Sequence, residues 1–173
     1  MTLPEGRPFD DTAPCVGCGL CCDGTLYGRA AAEPDEEERM RALGLELLTH
    51  DGRRYFRLPC IAHDCGSCRI YETRFLKCRT FRCALLRRYH AGEIGINEAR
   101  KTVEGAKRLV GELRAADPGA VPDRQRQSVI IELRKQMLEE IGPSRAEVAA
   151  RLLRIIALDE FLNRWFRNSP SPS

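Results

Sequence analysis

A chain of 173 residues, 43% hydrophobic and 31% charged, is long enough to bury one core without covalent staples and too short for two large domains. Its 28 basic and 25 acidic residues leave a net charge of +3 with both signs interspersed, which gives no support to charge-driven nucleic-acid binding. Glu5, Arg7, Asp10 and Asp11 interrupt the N-terminus where a secretory signal would be apolar, and Arg151 and Arg154 break the stretch Val148 to Leu158, far short of the roughly 20 apolar residues that span a bilayer. A cytoplasmic protein without a membrane span is expected.

The cysteines are Cys15, Cys18, Cys21, Cys22, Cys60, Cys65, Cys68, Cys78 and Cys83, and the last 90 residues hold none. Such segregation points to one local device. Spread disulfides would usually staple the whole chain, and an odd count without a signal peptide argues against an oxidised framework, so metal binding is the expected use. The strongest feature is Cys15-Val16-Gly17-Cys18-Gly19-Leu20-Cys21-Cys22. Two cysteines separated by two residues can turn back and present both sulfurs to one ion, and Gly17 and Gly19 suit that turn while leaving backbone N–H groups free to approach thiolates. Adjacent Cys21 and Cys22 point to opposite sides of an extended segment, which leaves one of them available to a second site.

Next, Pro34-Asp35-Glu36-Glu37-Glu38 has the proline and acidic first turn of a helix start, with Met40 and Leu43 on one face before Gly44 stops it. Leu45 to His50 and Arg53 to Leu58 flank Asp51-Gly52, a type I′ hairpin signal and the only good strand evidence; this hairpin would deliver Cys60 beside the first cysteine run. A second C-x2-C follows at Cys65 and Cys68, so Cys15, Cys18, Cys65 and Cys68 alone would suffice for a tetrahedral zinc site, with its halves farther apart than in a usual zinc ribbon. Iron reads almost as well, since three cysteines at x2 intervals resemble the start of a ferredoxin run, here without its x3-C-P ending.

If Cys78 to Cys83 forms one helix, as Phe75, Leu85, Leu86 and Tyr89 suggest, the two sulfurs are rotated by about 140° and do not share an ion without a break. Arg69, Arg74, Arg79 and Arg82 are placed to offset the negative charge of thiolates. His63 reads more readily as a supporting or solvated residue than as a ligand. His50 and His90 carry less.

Beyond Gly92 the pattern turns to long helices. Ala99, Val103, Ala106, Val110 and Leu113 line one face of a segment ending at Asp117-Pro118-Gly119. A second helix is expected from about Asp123 to Ile141, with Ile130, Leu133 and Met137 in register, stopped by Gly142-Pro143. A third begins at the Ser144-x-x-Glu147 capping box and carries Val148, Leu152, Ile155, Leu162 and Phe166. The fold expected is mainly α with a small β-hairpin. An irregular cysteine-rich metal-binding module over residues 1–92 is followed by amphipathic helices over 93–167 that pack on it as a bundle, and by a disordered tail over 168–173.

Cys15-x2-Cys18-x2-Cys21-Cys22, then Cys60, then Cys68-Arg69-Ile70-Tyr71-Glu72-x-Arg74 and Cys78-Arg79-x-Phe81, resembles the zinc- or iron-chelating cysteine-cluster family of the YkgJ type over roughly residues 13 to 83. In that family the later block usually reads C-x-I-Y-E-x-R-P before C-R-x-F, and Phe75 stands here in place of the proline. The resemblance implies that Cys15, Cys18, Cys21, Cys22, Cys60, Cys68 and Cys78 are the shared metal-cluster positions, and it leaves Cys65 and Cys83 outside that set.

The function expected is therefore chelation of zinc or iron, the latter including a 4Fe-4S cluster, in a structural, redox or metal-handling role. Two alternatives belong to other classes. One is a metal-cluster enzyme, since a larger flagellin lysine methylase is similar in its cysteine motif; the lesser one is a zinc-knuckle adaptor presenting Arg79, Arg82, Arg87, Arg88 and Tyr89 to nucleic acid. A protein partner or a second copy would meet the C-terminal helices. No Gly-rich phosphate loop and no G-x-S-x-G elbow is present.

Overall fold

The first cysteine run is a chain of tight turns in the computed structural model, which describes residues 14–64, 66–116 and 145–167. The Cys18 N–H donates to the Cys15 carbonyl at 3.0 Å and the Asp23 N–H to the Gly19 carbonyl at 2.9 Å, with Gly17 and Gly19 at φ of +75° and +76°. Any L-residue at such φ places Cβ against its own carbonyl, so glycine is what lets the run coil tightly enough to turn its thiols inward.

Strand β1 (Arg29–Ala31) follows, then a 3-10 turn over Pro34–Glu36 and helix α1 (Glu37–Ala42), which buries Met40 completely. The expected hairpin forms from β2 (Leu47–His50) and β3 (Arg53–Arg57). Asp51 and Gly52 both have positive φ, 48° and 71°, the backbone of a type I′ turn. Against expectation the hairpin is not alone, since β1 pairs antiparallel with the other edge of β3 to give the order β1-β3-β2. Nothing local marks Arg29-Ala30-Ala31 as a strand; it is recruited by the free edge of β3. A second small ribbon pairs β4 (His63–Asp64) with β5 (Ser67–Cys68), setting His63 opposite Cys68.

The helical run around Cys78 and Cys83 is broken. Helix α2 (Leu76–Thr80) ends at Phe81, whose ψ of 133° is extended, and α3 (Ala84–His90) restarts with Cys83 as its N-cap. The cap is unusual in that a sulfur accepts the orphan N–H of Leu86, at 3.5 Å. Helix α4 (Ile96–Ala116) and helix α5 (Arg145–Trp165) then pack together and bury the stripes expected of them. The helix expected from Asp123 to Ile141, the cap at Ser144, the stop at 117–119, Cys65 and the 168–173 tail lie outside the described residues.

Two apolar clusters hold the structure. One joins Leu20 and Leu26 of the cysteine run to Leu85, Leu86 and Tyr89 of α3 and to the buried faces of α4 and α5, so it crosses the module boundary expected at residue 92. The Ala84 N–H donating to the Phe166 carbonyl at 3.0 Å and Arg167 Nε donating to the Leu26 carbonyl at 3.3 Å tie the end of α5 to the same region. The other cluster comprises Ala32, Met40, Leu45, Phe56, Leu58 and Phe75 under the sheet. Phe75 is 1% exposed and meets Phe56 with ring centroids 5.9 Å apart. Its φ of −59° is one that proline also adopts, so the phenyl group adds packing without changing the backbone. No described helix is long and apolar enough to cross a membrane.

Candidate metal centre

All eight described cysteines are free thiols, partly buried, and drawn together from separate segments. The coiled run supplies Cys15, Cys18, Cys21 and Cys22, the segment after β3 supplies Cys60, β5 supplies Cys68, α2 supplies Cys78, and the N-cap of α3 supplies Cys83. Cys60 does arrive beside the first run, as the hairpin required: its N–H donates to the Cys22 carbonyl at 2.7 Å.

The thiols press on one another in two neighbourhoods. Burial pushes Cys18 up to about 12, with Cys15 and Cys83 adding to the rise. Cys21 is raised by burial and then by Cys18 and Cys83. Burial also carries Cys22 to about 12, but its thiol neighbours are Cys78, Cys60 and Cys68. Cys78 rises to about 11 by burial together with Cys60 and Cys68. Among these influences the Cys21–Cys22 pair, adjacent in the chain, is the one that crosses between neighbourhoods. Packing divides the thiols in the same way, with Cys15, Cys18, Cys21 and Cys83 against the first apolar cluster and Cys60 and Cys78 against the second. Cys68 thus stands with Cys22, Cys60 and Cys78, away from the Cys15–Cys18 pairing that the two C-x2-C motifs suggest. These are neighbourhoods of thiols and not formed coordination shells, since among the described residues no three metal-ligating side chains meet the geometry of a bound ion.

Several groups around the sulfurs suit the anionic form. Backbone N–H groups donate to them and oppose the effect of burial: Leu20 to Cys18, Ala62 and His63 to Cys60, Leu85 and Leu86 to Cys83. Lys107 of α4 donates to the Gly17 carbonyl and lowers Cys18. On the other side, Arg69 donates to the Ile61 carbonyl at 2.7 Å and lowers Cys60, while Arg74 lies over the Tyr71 ring at 3.7 Å and lowers Cys78. Arg69 and Arg74 therefore have the charge-offsetting positions expected of them. Lys107 was not legible in the sequence, because it stands 89 residues after Cys18 and nothing in the spacing links its helix to the motif.

The chain matches no family model, and neither a curated protein nor a solved structure is significantly similar to it.

His63 is the one imidazole at the site. Its Nε2 is buried with no hydrogen-bond partner among the described residues, and a Cβ on Gly19 would stand 2.8 Å from it. Gly19→Ala is accordingly expected to be more damaging than Gly17→Ala. Both force alanine into positive φ at a cost of about 1–2 kcal/mol, but a side chain at Gly17 meets nothing within 4 Å while one at Gly19 meets the His63 ring. Urea midpoints of the two variants check this, and equal losses would show that the ring yields freely.

Three of the arginines considered for nucleic acid make contacts within the chain, Arg87 among them through the Arg82 carbonyl at 3.2 Å. Arg82 donates to the Arg79 carbonyl at 2.7 Å, Arg88 pairs with Glu93 at 3.2 Å, and Tyr89 is only 6% exposed, too buried to stack on a base. A cleft of about 230 Å³ lined by Gly44, Leu45, Glu46, Arg57, Leu58, Pro59 and Ile61 takes in none of the thiols.

Proposed function

We propose that this protein is a thiolate metal-binding protein in which the cysteine cluster chelates zinc or iron and thereby ties the N-terminal half together. The observation that carries this reading is the gathering of eight thiols from five segments into two partly buried neighbourhoods. Brought to the thiolate form, sulfurs gathered this closely would repel one another unless a cation draws their charge, and both zinc and iron favour sulfur donors. The donor set fits such an ion in kind: cysteine sulfurs supplied with backbone N–H donors and flanked by Lys107, Arg69 and Arg74, as thiolate centres require. The metal would supply cross-linking, and as iron–sulfur also electron storage. The residues' own part is to hold the sulfurs, balance their charge and exclude water.

Metal content per chain and the visible spectrum test this directly, on protein purified without oxygen and never exposed to a metal-affinity column. Stoichiometric zinc in a colourless sample, or iron with inorganic sulfide in a brown one, is expected. A metal-free protein that also refuses zinc and iron under reducing conditions would overturn the reading.

A further inference from the structure

We infer that the cluster is two separate four-thiolate sites, one formed by Cys15, Cys18, Cys21 and Cys83 and the other by Cys22, Cys60, Cys68 and Cys78, joined by the peptide bond between Cys21 and Cys22. This rests on the chelation reading and adds to it the number of ions and the ligands of each.

The division begins with the chain itself. Adjacent side chains leave the backbone in different directions, and in the turn over Gly19–Asp23 Cys21 and Cys22 can each close a different shell. Cys21 turns to the first apolar cluster with Cys15 and Cys18. The Cys22 carbonyl, by contrast, receives the Cys60 N–H at 2.7 Å, which draws the segment after β3 to the other side. From Cys60 the chain is held locally, the His63 N–H donating to the Cys60 carbonyl at 3.0 Å and His63 pairing with Cys68, so Cys60 and Cys68 stay together. Cys78 joins them from α2, against the same cluster as Cys60.

Cys83 completes the other set because the helix is broken between it and Cys78. The extended residue Phe81, whose ring meets Tyr27 at 5.5 Å, redirects the chain, and α3 then anchors Leu85 and Leu86 in the first cluster. Each set also has its own cationic side chains, Lys107 for the first and Arg69 and Arg74 for the second. Two shells of four account for eight thiols and leave Cys65 as the ninth. The pairing of Cys15 and Cys18 with Cys65 and Cys68 is thereby replaced.

Cobalt(II) titration of the reduced, metal-free full chain tests the assignment, read by the ligand-field and thiolate charge-transfer bands of tetrahedral cobalt. The unaltered chain should take up two ions. Cys83→Ser and Cys78→Ser should each lose one four-thiolate site and keep the other, with the band intensity halved; the double variant should lose both, and Cys65→Ser should keep both. In the unaltered chain, saturating zinc should protect the eight named thiols from alkylation. This readout holds even where a variant fails to fold. Saturation at one ion, protection of only four thiols, loss of both ions in a folded single variant, or loss of an ion in Cys65→Ser would each overturn the two-site assignment while leaving chelation standing. No uptake at all by the unaltered chain would instead remove the chelation reading beneath it.

Discussion

Stripping the metal from the reduced protein is expected to unfold the cysteine-rich half and leave helix α4 largely protected. Each shell would close loops between segments that have little else in common, and structural zinc in small thiolate domains supplies an apparent folding free energy of about 10–16 kcal/mol. That is as large as the roughly 5–15 kcal/mol by which a whole domain is usually stable. The sheet region has a cluster of only six buried apolar residues to fall back on, whereas α4 and α5 bury a long face against each other. Because Leu20, Leu26 and α3 share that larger cluster, some loosening should reach its near end. Hydrogen exchange with and without chelator measures this: protection should collapse over 15–26 and 60–83 and persist around Ala99, Val103 and Ala106. Unchanged protection over 60–83 would mean that the apolar contacts alone hold the segment.

Phe75→Ala should cost about 3–5 kcal/mol, the range for emptying a fully buried phenyl site. Phe75 is packed against Phe56, lies under the Arg39 guanidinium at 4.5 Å, and precedes the helix that carries Cys78. Its loss empties a packing contact between the start of that helix and the sheet, so the second thiol set should weaken along with the fold. Phe75→Pro separates packing from backbone, since proline accepts the φ of −59° but fills little of the space. Both variants should lower the urea midpoint to a similar extent and reduce metal affinity at Cys22, Cys60, Cys68 and Cys78. A Phe75→Pro protein as stable as the unaltered one would show that the phenyl packing contributes little.

Local chemistry made several parts of this structure legible in the sequence. Asp51-Gly52 specifies its turn because both residues tolerate positive φ, the proline and acidic residues at 34–38 start a helix, and the apolar period over 99–113 defines a buried face. The cysteine spacing supports a proposal of thiolate chemistry, and the adjacency of Cys21 and Cys22 suggests two directions for their side chains. Tertiary structure decided the rest. Strand β1 exists because β3 offers it an edge, and Cys83 separates from Cys78 because Phe81 and the core beneath α3 break a helix that periodicity alone would continue. Lys107 reaches Gly17 only once α4 has docked. Which thiols stand together depends on long-range packing and on single hydrogen bonds such as Cys60 to Cys22, and spacing along the chain carries no record of either.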